Sequence, residues 1–205
     1  MRNNERKIMN FLVNKIVCAI GCVAKDNNSK LNAKHIAFAA MAVALAVVTS
    51  MIKVIKLPMG GSVTLFSMLF IVLIGYWYGI KTGLTAALAY GVLQLLLDPY
   101  ILNIPQVLLD YILGFGALGL SGIFSNSKHG LIKGYIVGVI GRFICSFLSG
   151  WIFFAVYTPE FFNSAILYSI VYNGSYIGLE AAVTLVVISL PPVNKALAYV
   201  KNNLV

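Results

Sequence analysis

Charge is what this 205-residue sequence has least of: Asp, Glu, Lys and Arg together make up only 10% of it. A soluble globule of this size carries about a quarter of its residues as charges to keep a solvated surface, so the deficit argues against a soluble enzyme. Acidic residues are scarcer still, six in all. The three cysteines (Cys18, Cys22 and Cys145) are too few for a disulfide framework. Cys18 and Cys22 stand one helical turn apart with no histidine near, which is not a zinc-site pattern, and all three read as small apolar residues. The two histidines, His35 and His129, are far apart and support neither a metal centre nor a catalytic triad. No Walker A run and no G-x-S-x-G occurs, so the chain does not hydrolyse ATP through a P-loop and offers no nucleophile–base pair. It reads as a non-enzyme without cofactor or metal.

Apolar residues are abundant instead, at 60% of the chain, with a mean hydropathy of +0.90. That is far more apolar surface than a disordered chain carries, and it places the protein in a membrane. A spanning helix needs about 20 mainly apolar residues. Six segments meet or approach this: 35–53, 63–80, 82–97, 106–124, 131–156 and 164–190. Breakers separate them, including Pro58-Met59-Gly60-Gly61, Asp98-Pro99 and Thr158-Pro159. The expected fold is an all-α membrane protein, a six-transmembrane-helix bundle with an N-terminal amphipathic extension. Its parts are a cytoplasmic or amphipathic segment 1–33, a membrane substrate-binding domain 34–192 and a cytoplasmic tail 193–205.

Basic residues orient the bundle. With the N-terminus inside, the cytoplasmic segments hold twelve Lys and Arg and the outer loops hold two, Lys53 and Lys56. By the positive-inside rule both termini are cytoplasmic and the protein is a multi-pass component of the cell membrane. The net charge of +9 fits contact with anionic lipid, and no basic helix interleaved with aromatics points to nucleic acid. Residues 9–23 carry two readings: an amphipathic helix on the inner leaflet, which the charge count favours, or a signal peptide with a cleavage-like Ala19-Ile20-Gly21-Cys22.

Ionisable residues inside spans are costly and mark function. Asp98, Asp110, Glu180 and Arg142 fall in or beside spans. By depth, Asp110 and Tyr111 on the fourth span, Ser146, Ser149, Gly150 and Phe154 on the fifth, and Tyr168, Tyr172 and Asn173 on the sixth converge on one outer layer. Aromatic faces with a few placed polar groups are what a small-molecule site requires. Asp110 has a structural alternative, a pair with Arg142, against which stand about 20 Å or more of depth if Arg142 lies nearer the inner leaflet. The tyrosines, Tyr157 included, also suit an interfacial belt. Glu180 serves a polar network between helices as readily as a ligand, and Asp98 suits a turn. Gly114–Gly119 matches G-x-G-x-x-G but lies in a span with no βαβ unit, so its glycines read as helix contacts. The sequon Asn173-Gly174-Ser175 is buried in the same way. The first span repeats small residues at i, i+4 (Ala33/Ala37, Ala40/Ala44, Ala42/Ala46), a face suited either to internal packing or to a partner helix.

Six runs, in register with the spans, resemble the thiamine-specific S component of energy-coupling factor (ECF) transporters: KLPMGGSVTL from Lys56, LLDY from Leu108, GFGALG from Gly114, GRF from Gly141, FLSG from Phe147 and LYSIVYNGSY from Leu167. The similarity covers about residues 34–190. It implies a substrate-binding subunit that captures thiamine from outside and docks, through the small-residue face of its first helix, on an ECF membrane coupling protein and two ATPase subunits. It implies ligand contact at Asp110, Tyr111, Gly150, Tyr168 and Asn173. Three family positions differ: Ser146 replaces a histidine, Phe154 replaces a tryptophan, and Asp110 is a glutamate in some members. A tryptophan of the first outer loop has no counterpart near Met59–Ser62. These departures admit weaker thiamine binding, or an S component for another small vitamin or precursor. A membrane scaffold without a solute is the alternative from a different class.

Overall fold

The computed structural model describes residues 33–160 and 162–203. The amphipathic or signal-peptide segment 9–23, Cys18 and Cys22, and the side chain of Ala33 lie outside the described residues. Seven helices are seen among those described. They are α1 (Ala33–Met51), α2 (Ser67–Tyr78), α3 (Ile80–Leu97), α4 (Ile104–Phe124), α5 (Gly130–Phe153), α6 (Ala165–Ser189) and α7 (Pro191–Asn203). A short antiparallel hairpin, β1 (Lys53–Lys56) and β2 (Ser62–Thr64), joins α1 to α2.

Helices α3 to α6 are long and apolar enough to cross a membrane, while α1 and α2 have shorter apolar stretches. At 1.5 Å per residue the 12 residues of α2 rise only about 18 Å. The expected span 63–80 is therefore too long by its first turn: Val63 and Thr64 belong to the hairpin. The expected tail is helical over its described residues, as part of α7. Two prolines at its start are compatible with a helix, because the first helical N–H groups have no intrahelical acceptor to lose. Helix α7 is amphipathic and folds back against the body. Its Lys201 donates to the Ser125 carbonyl at the end of α4 and lies 4.1 Å from the Tyr76 ring centroid. Burial there pulls the Lys201 pKa below that of an ordinary lysine.

Lipid is as apolar as leucine, so packing and interhelical hydrogen bonds hold a membrane bundle together rather than the hydrophobic effect. Both are evident. Helix α4 changes its winding along its length: α-helical at Ile104–Val107, π at Leu108–Leu113, then 3-10 at Ala117–Phe124. In a 3-10 helix residues three apart eclipse one another, which aligns Gly119 with Gly122. A Cβ on Gly119 would lie 2.6 Å from the Leu84 Cα, and one on Gly122 would lie 2.4 Å from the Ile80 backbone. Helices α3 and α4 thus touch backbone to backbone. Ser121 Oγ donates to the Val72 carbonyl (3.1 Å), and Gln94 Nε2 donates to Ser50 Oγ (2.7 Å). On α1 the alanines divide: Ala42 and Ala46 are buried in the core, whereas Ala37, Ala40 and Ala44 face outward.

Glu180 is buried between helices, 6% exposed. Its carboxylate accepts from Thr64 N (3.2 Å), Thr64 Oγ1 (2.7 Å), Ser67 Oγ (3.2 Å) and Met68 N (3.3 Å). It caps α2 from another helix, where Phe66 at the N-cap position has no side chain that could do so. Of its two sequence readings, the structural network is the one seen.

Candidate functional site

The hairpin, the C-terminal end of α3, the N-terminal part of α4, the later turns of α5 and the first turns of α6 enclose one cavity of about 140 Å³. One water needs roughly 10–15 Å³, so the space suits a small organic molecule. All seven site residues expected from the sequence line it: Asp110, Tyr111, Ser146, Gly150, Phe154, Tyr168 and Asn173.

The sequence explains how α4 presents its acid. Asn103 caps the helix, with Oδ1 accepting from Gln106 N (2.8 Å), and Pro105 fits the first turn. The π segment that follows widens the turn and turns two consecutive residues, Asp110 and Tyr111, toward the cavity. Such bulges are frequent at functional sites. Gln106, only 1% exposed, is locked by its backbone contacts: Oε1 accepts from Leu102 N (3.1 Å) and Nε2 donates to the Tyr100 carbonyl (3.2 Å). The same Nε2 donates to Asp110 Oδ2 (2.6 Å), and so does Ser149 Oγ (2.8 Å). Both bonds fall on one oxygen. Oδ1 has no partner among the described residues. Tyr111 is a clip for the chain before it, since its hydroxyl donates to the Asp98 carbonyl (3.0 Å) and accepts from Tyr100 N (2.8 Å).

On α5 the cavity face recurs at helical spacing: Arg142, Ser146, Ser149, Gly150. Phe154 stacks on Tyr100 with ring centroids 5.7 Å apart and planes 25° apart. Gly150 serves close packing with α6, because a Cβ there would lie 2.3 Å from Ser169 Oγ and 2.9 Å from Asn173 Nδ2. On α6, Tyr168, Tyr172 and Tyr176 form a ladder of ring contacts 5.7 and 5.8 Å apart. Asn173 is engaged locally, its amide donating to Ser169 and its oxygen accepting from the Tyr176 hydroxyl (3.0 Å). Tyr172 holds the hairpin over this ladder: its hydroxyl accepts from Gly61 N (3.0 Å) and donates to the Pro58 carbonyl. Tyr168 reaches Met59 Sδ (3.7 Å). Lys53 pairs with Asp98 at the rim.

Of the two sequence readings of Arg142, a pair with Asp110 or separation from it in depth, neither is seen. Arg142 lines the same cavity as Asp110, with its guanidinium carbon 4.0 Å from the Phe115 centroid. The backbone offset from Ser149 is seven residues, about 10 Å of rise, and a long arginine side chain covers much of that. Asp110 and Arg142 form no ion pair; among the described residues the ion pair seen is Lys53–Asp98. Sequence reasoning also passed over Gln106 and Tyr100. Gln106 sits four residues before Asp110, one helical turn, and that spacing was the available signal. Tyr157, a belt candidate, is exposed and outside the cavity lining. Among the described residues no group of three or more His, Cys, Asp or Glu could hold a metal.

The site therefore offers a half-free carboxylate, an arginine and a surround of aromatic faces, an arrangement chemically suited to a flat organic cation. Residues 36–199 match the family described as thiamine transporter protein. The chain belongs to that family. It is 32% identical over 167 residues to the thiamine transporter ThiT of Bacillus subtilis (strain 168), an alignment covering 73% of this chain and 85% of that one. It also shares the fold of ThiT from Listeria monocytogenes, with a TM-score of 0.63 at 24% identity, covering 77% of this chain and 94% of the other. The likeness read from the six sequence runs is thus a family membership, and the chain is a multi-pass member of a thiamine transporter family.

Proposed function

We propose that this protein is the substrate-binding subunit of an ECF-type importer: it captures thiamine from the outer face and passes it inward through an ATP-driven coupling module. The observation that carries the reading is Asp110 Oδ1, an unpartnered carboxylate oxygen on the wall of an aromatic-lined cavity. The three ionisable groups between the helices, Asp110, Glu180 and Arg142, sum to one negative charge, which a singly cationic ligand neutralises. Stacking on the Tyr100–Phe154 pair and the tyrosine ladder supplies the rest. Asp110, Tyr111, Ser146, Phe154, Tyr168 and Asn173 contact the ligand, and Gly150 lets α6 approach.

The six helices α1 to α6 cross the membrane and α7 lies along the inner surface. Both termini are cytoplasmic, on the charge argument above. The outward alanines Ala37, Ala40 and Ala44 give the coupling protein a close-contact face. The subunit itself carries out no reaction. The test is an equilibrium titration of purified protein with thiamine and no nucleotide. Saturation at one molecule per chain is expected, and a folded protein that takes up nothing at micromolar vitamin ends the proposal. One observation favours a second ligand of the same kind: Ser146, only 8% exposed, gives this wall a small hydroxyl where a ring stands in the resembled family. A competition panel of thiamine, its pyrimidine half and its thiazole half separates the two.

A further inference from the structure

Gln106 sits one helical turn before Asp110, 1% exposed, and its amide fits its surroundings in one sense only. Leu102 N can only donate, so Oε1 faces it (3.1 Å); the Tyr100 carbonyl can only accept, so Nε2 faces that (3.2 Å). The other N–H of Nε2 is left for Asp110 Oδ2 (2.6 Å). The second group on that oxygen, Ser149 Oγ (2.8 Å), is a hydroxyl, which donates or accepts as its neighbour requires. Of the two partners of Oδ2 among the described residues, Gln106 is therefore the one whose polarity cannot reverse. The same amide holds the backbone of Tyr100, whose ring stacks on Phe154, so it also sets the acid against that aromatic pair.

We infer that Gln106 is a positioning residue that acts through Asp110: it requires an acceptor on the inner arm of that side chain and so decides which group the outer arm presents to the ligand. The inference rests on the cation-binding reading and deepens it. Gln106 itself touches no ligand in this scheme. With aspartate the outer arm is a second acceptor, which suits a cation or an amine. With an amide at this position the outer arm has to be a donor, for as long as Gln106 is present.

A double-mutant cycle read by thiamine titration tests it, because the sign of the effect reverses between backgrounds. In the wild-type background Gln106→Leu removes a charge-assisted bond from the carboxylate, and thiamine binding is expected to weaken about five- to thirtyfold. In the Asp110→Asn background the same change is expected to tighten it, by about three- to tenfold. No donor then demands an acceptor on the inner arm, Ser149 accepts from the new amide, and the amide turns its oxygen to the ligand. A residue that only braces the turn weakens binding in both backgrounds. Melting points without ligand check folding, and the Tyr111 hydroxyl still ties that turn at Asp98 and Tyr100. If Gln106→Leu does not fold, Asp110→Ala takes its place: alanine presents no donor, so it is expected to bind thiamine at least threefold tighter than Asp110→Asn. No loss in the wild-type background, no gain in the Asp110→Asn background, or Asp110→Asn binding as tightly as Asp110→Ala overturns the inference while leaving thiamine binding intact. A folded wild type that binds no thiamine removes the cation reading and this inference together.

Discussion

Asp110→Asn is the sharpest perturbation of this site, because the surrounding hydrogen bonds dictate how the new side chain must sit. Gln106 cannot rotate without losing Leu102 N and the Tyr100 carbonyl. Its Nε2, and Ser149 Oγ, therefore continue to face the position of Oδ2. Asn must turn its carbonyl oxygen there and its NH2 toward the cavity, where Oδ1 had been. An acceptor facing the ligand becomes a donor facing a cation. Two unit charges about 4 Å apart interact by about 4 kcal/mol at an effective dielectric of 20. Desolvation takes back part of this, leaving a charge-assisted contact of about 2–3 kcal/mol, or roughly 30- to 140-fold in dissociation constant. Asp98→Asn is the comparison. Its side chain is 56% exposed and its pair with Lys53 is at the rim, so a loss below about fivefold follows from the usual yield of surface pairs. Isothermal titration calorimetry in detergent reads both. The unliganded Asp110→Asn protein should melt no lower than wild type, since a partly desolvated charge has been removed. If Asp110→Asn binds within threefold of wild type, or if Asp98→Asn loses as much, the placement of the ligand against α4 is wrong.

Three further outcomes are expected. Glu180→Gln keeps one acceptor but aims an NH2 at donors that the carboxylate now accepts from; a melting point several degrees lower is expected, at a cost of about 1–3 kcal/mol, and an unchanged melt would refute the capping role. Gly91→Ala would place a Cβ 2.1 Å from the Tyr111 carbonyl oxygen, displacing the π segment, whereas at Gly174 the nearest atom would be Phe143 Cε2 at 3.7 Å; thiamine titration should show a large loss for the first and near-wild-type binding for Gly174→Ala, and the reverse order would discredit the packing argument. Tyr172→Phe removes the hydroxyl that ties α6 to Gly61 and Pro58; limited proteolysis of the unliganded protein should show faster cutting within residues 53–64, and equal rates would mean that the hairpin is held by other contacts.

Much of the site was legible because depth along a spanning helix can be counted. Asp110, Tyr168 and Asn173 were placed in one layer by residue number and direction alone, and the cavity has all three on its wall. Counting failed where side-chain length or backbone winding matters. Arg142 was assigned by its Cα, but its side chain extends toward the layer two turns away. The π segment at Leu108–Leu113 and the 3-10 stretch at Ala117–Phe124 depart from 3.6 residues per turn, and a periodicity argument assumes that value. The hairpin was hidden by its own breakers: Pro58, Gly60 and Gly61 read as a loop, while the pairing of Lys53 with Thr64 and Lys56 with Ser62 is a long-range fact with no local signature. Gln106 opened the expected fourth span at 106–124, but nothing local marked it as a partner of Asp110; the cap at Asn103 starts α4 two residues earlier and fixes its side chain. Pro191 and Pro192 went unread in the sequence, and they begin α7.

The seam of bare backbone where α3 meets α4 has a mechanical consequence. At the glycine contacts, Gly83 and Leu84 on Gly119, Ile80 on Gly122 and Gly91 on Tyr111, no side chain intervenes to change rotamer, so these two helices resist sliding or tilting apart in small steps. The half of the cavity wall that bears the carboxylate is thus a fixed jaw. The opposite half is the softer one: there the tip of the hairpin is tied to α6 by the hydroxyls of Tyr168 and Tyr172, which can let go one at a time while Glu180 keeps its hold on Thr64.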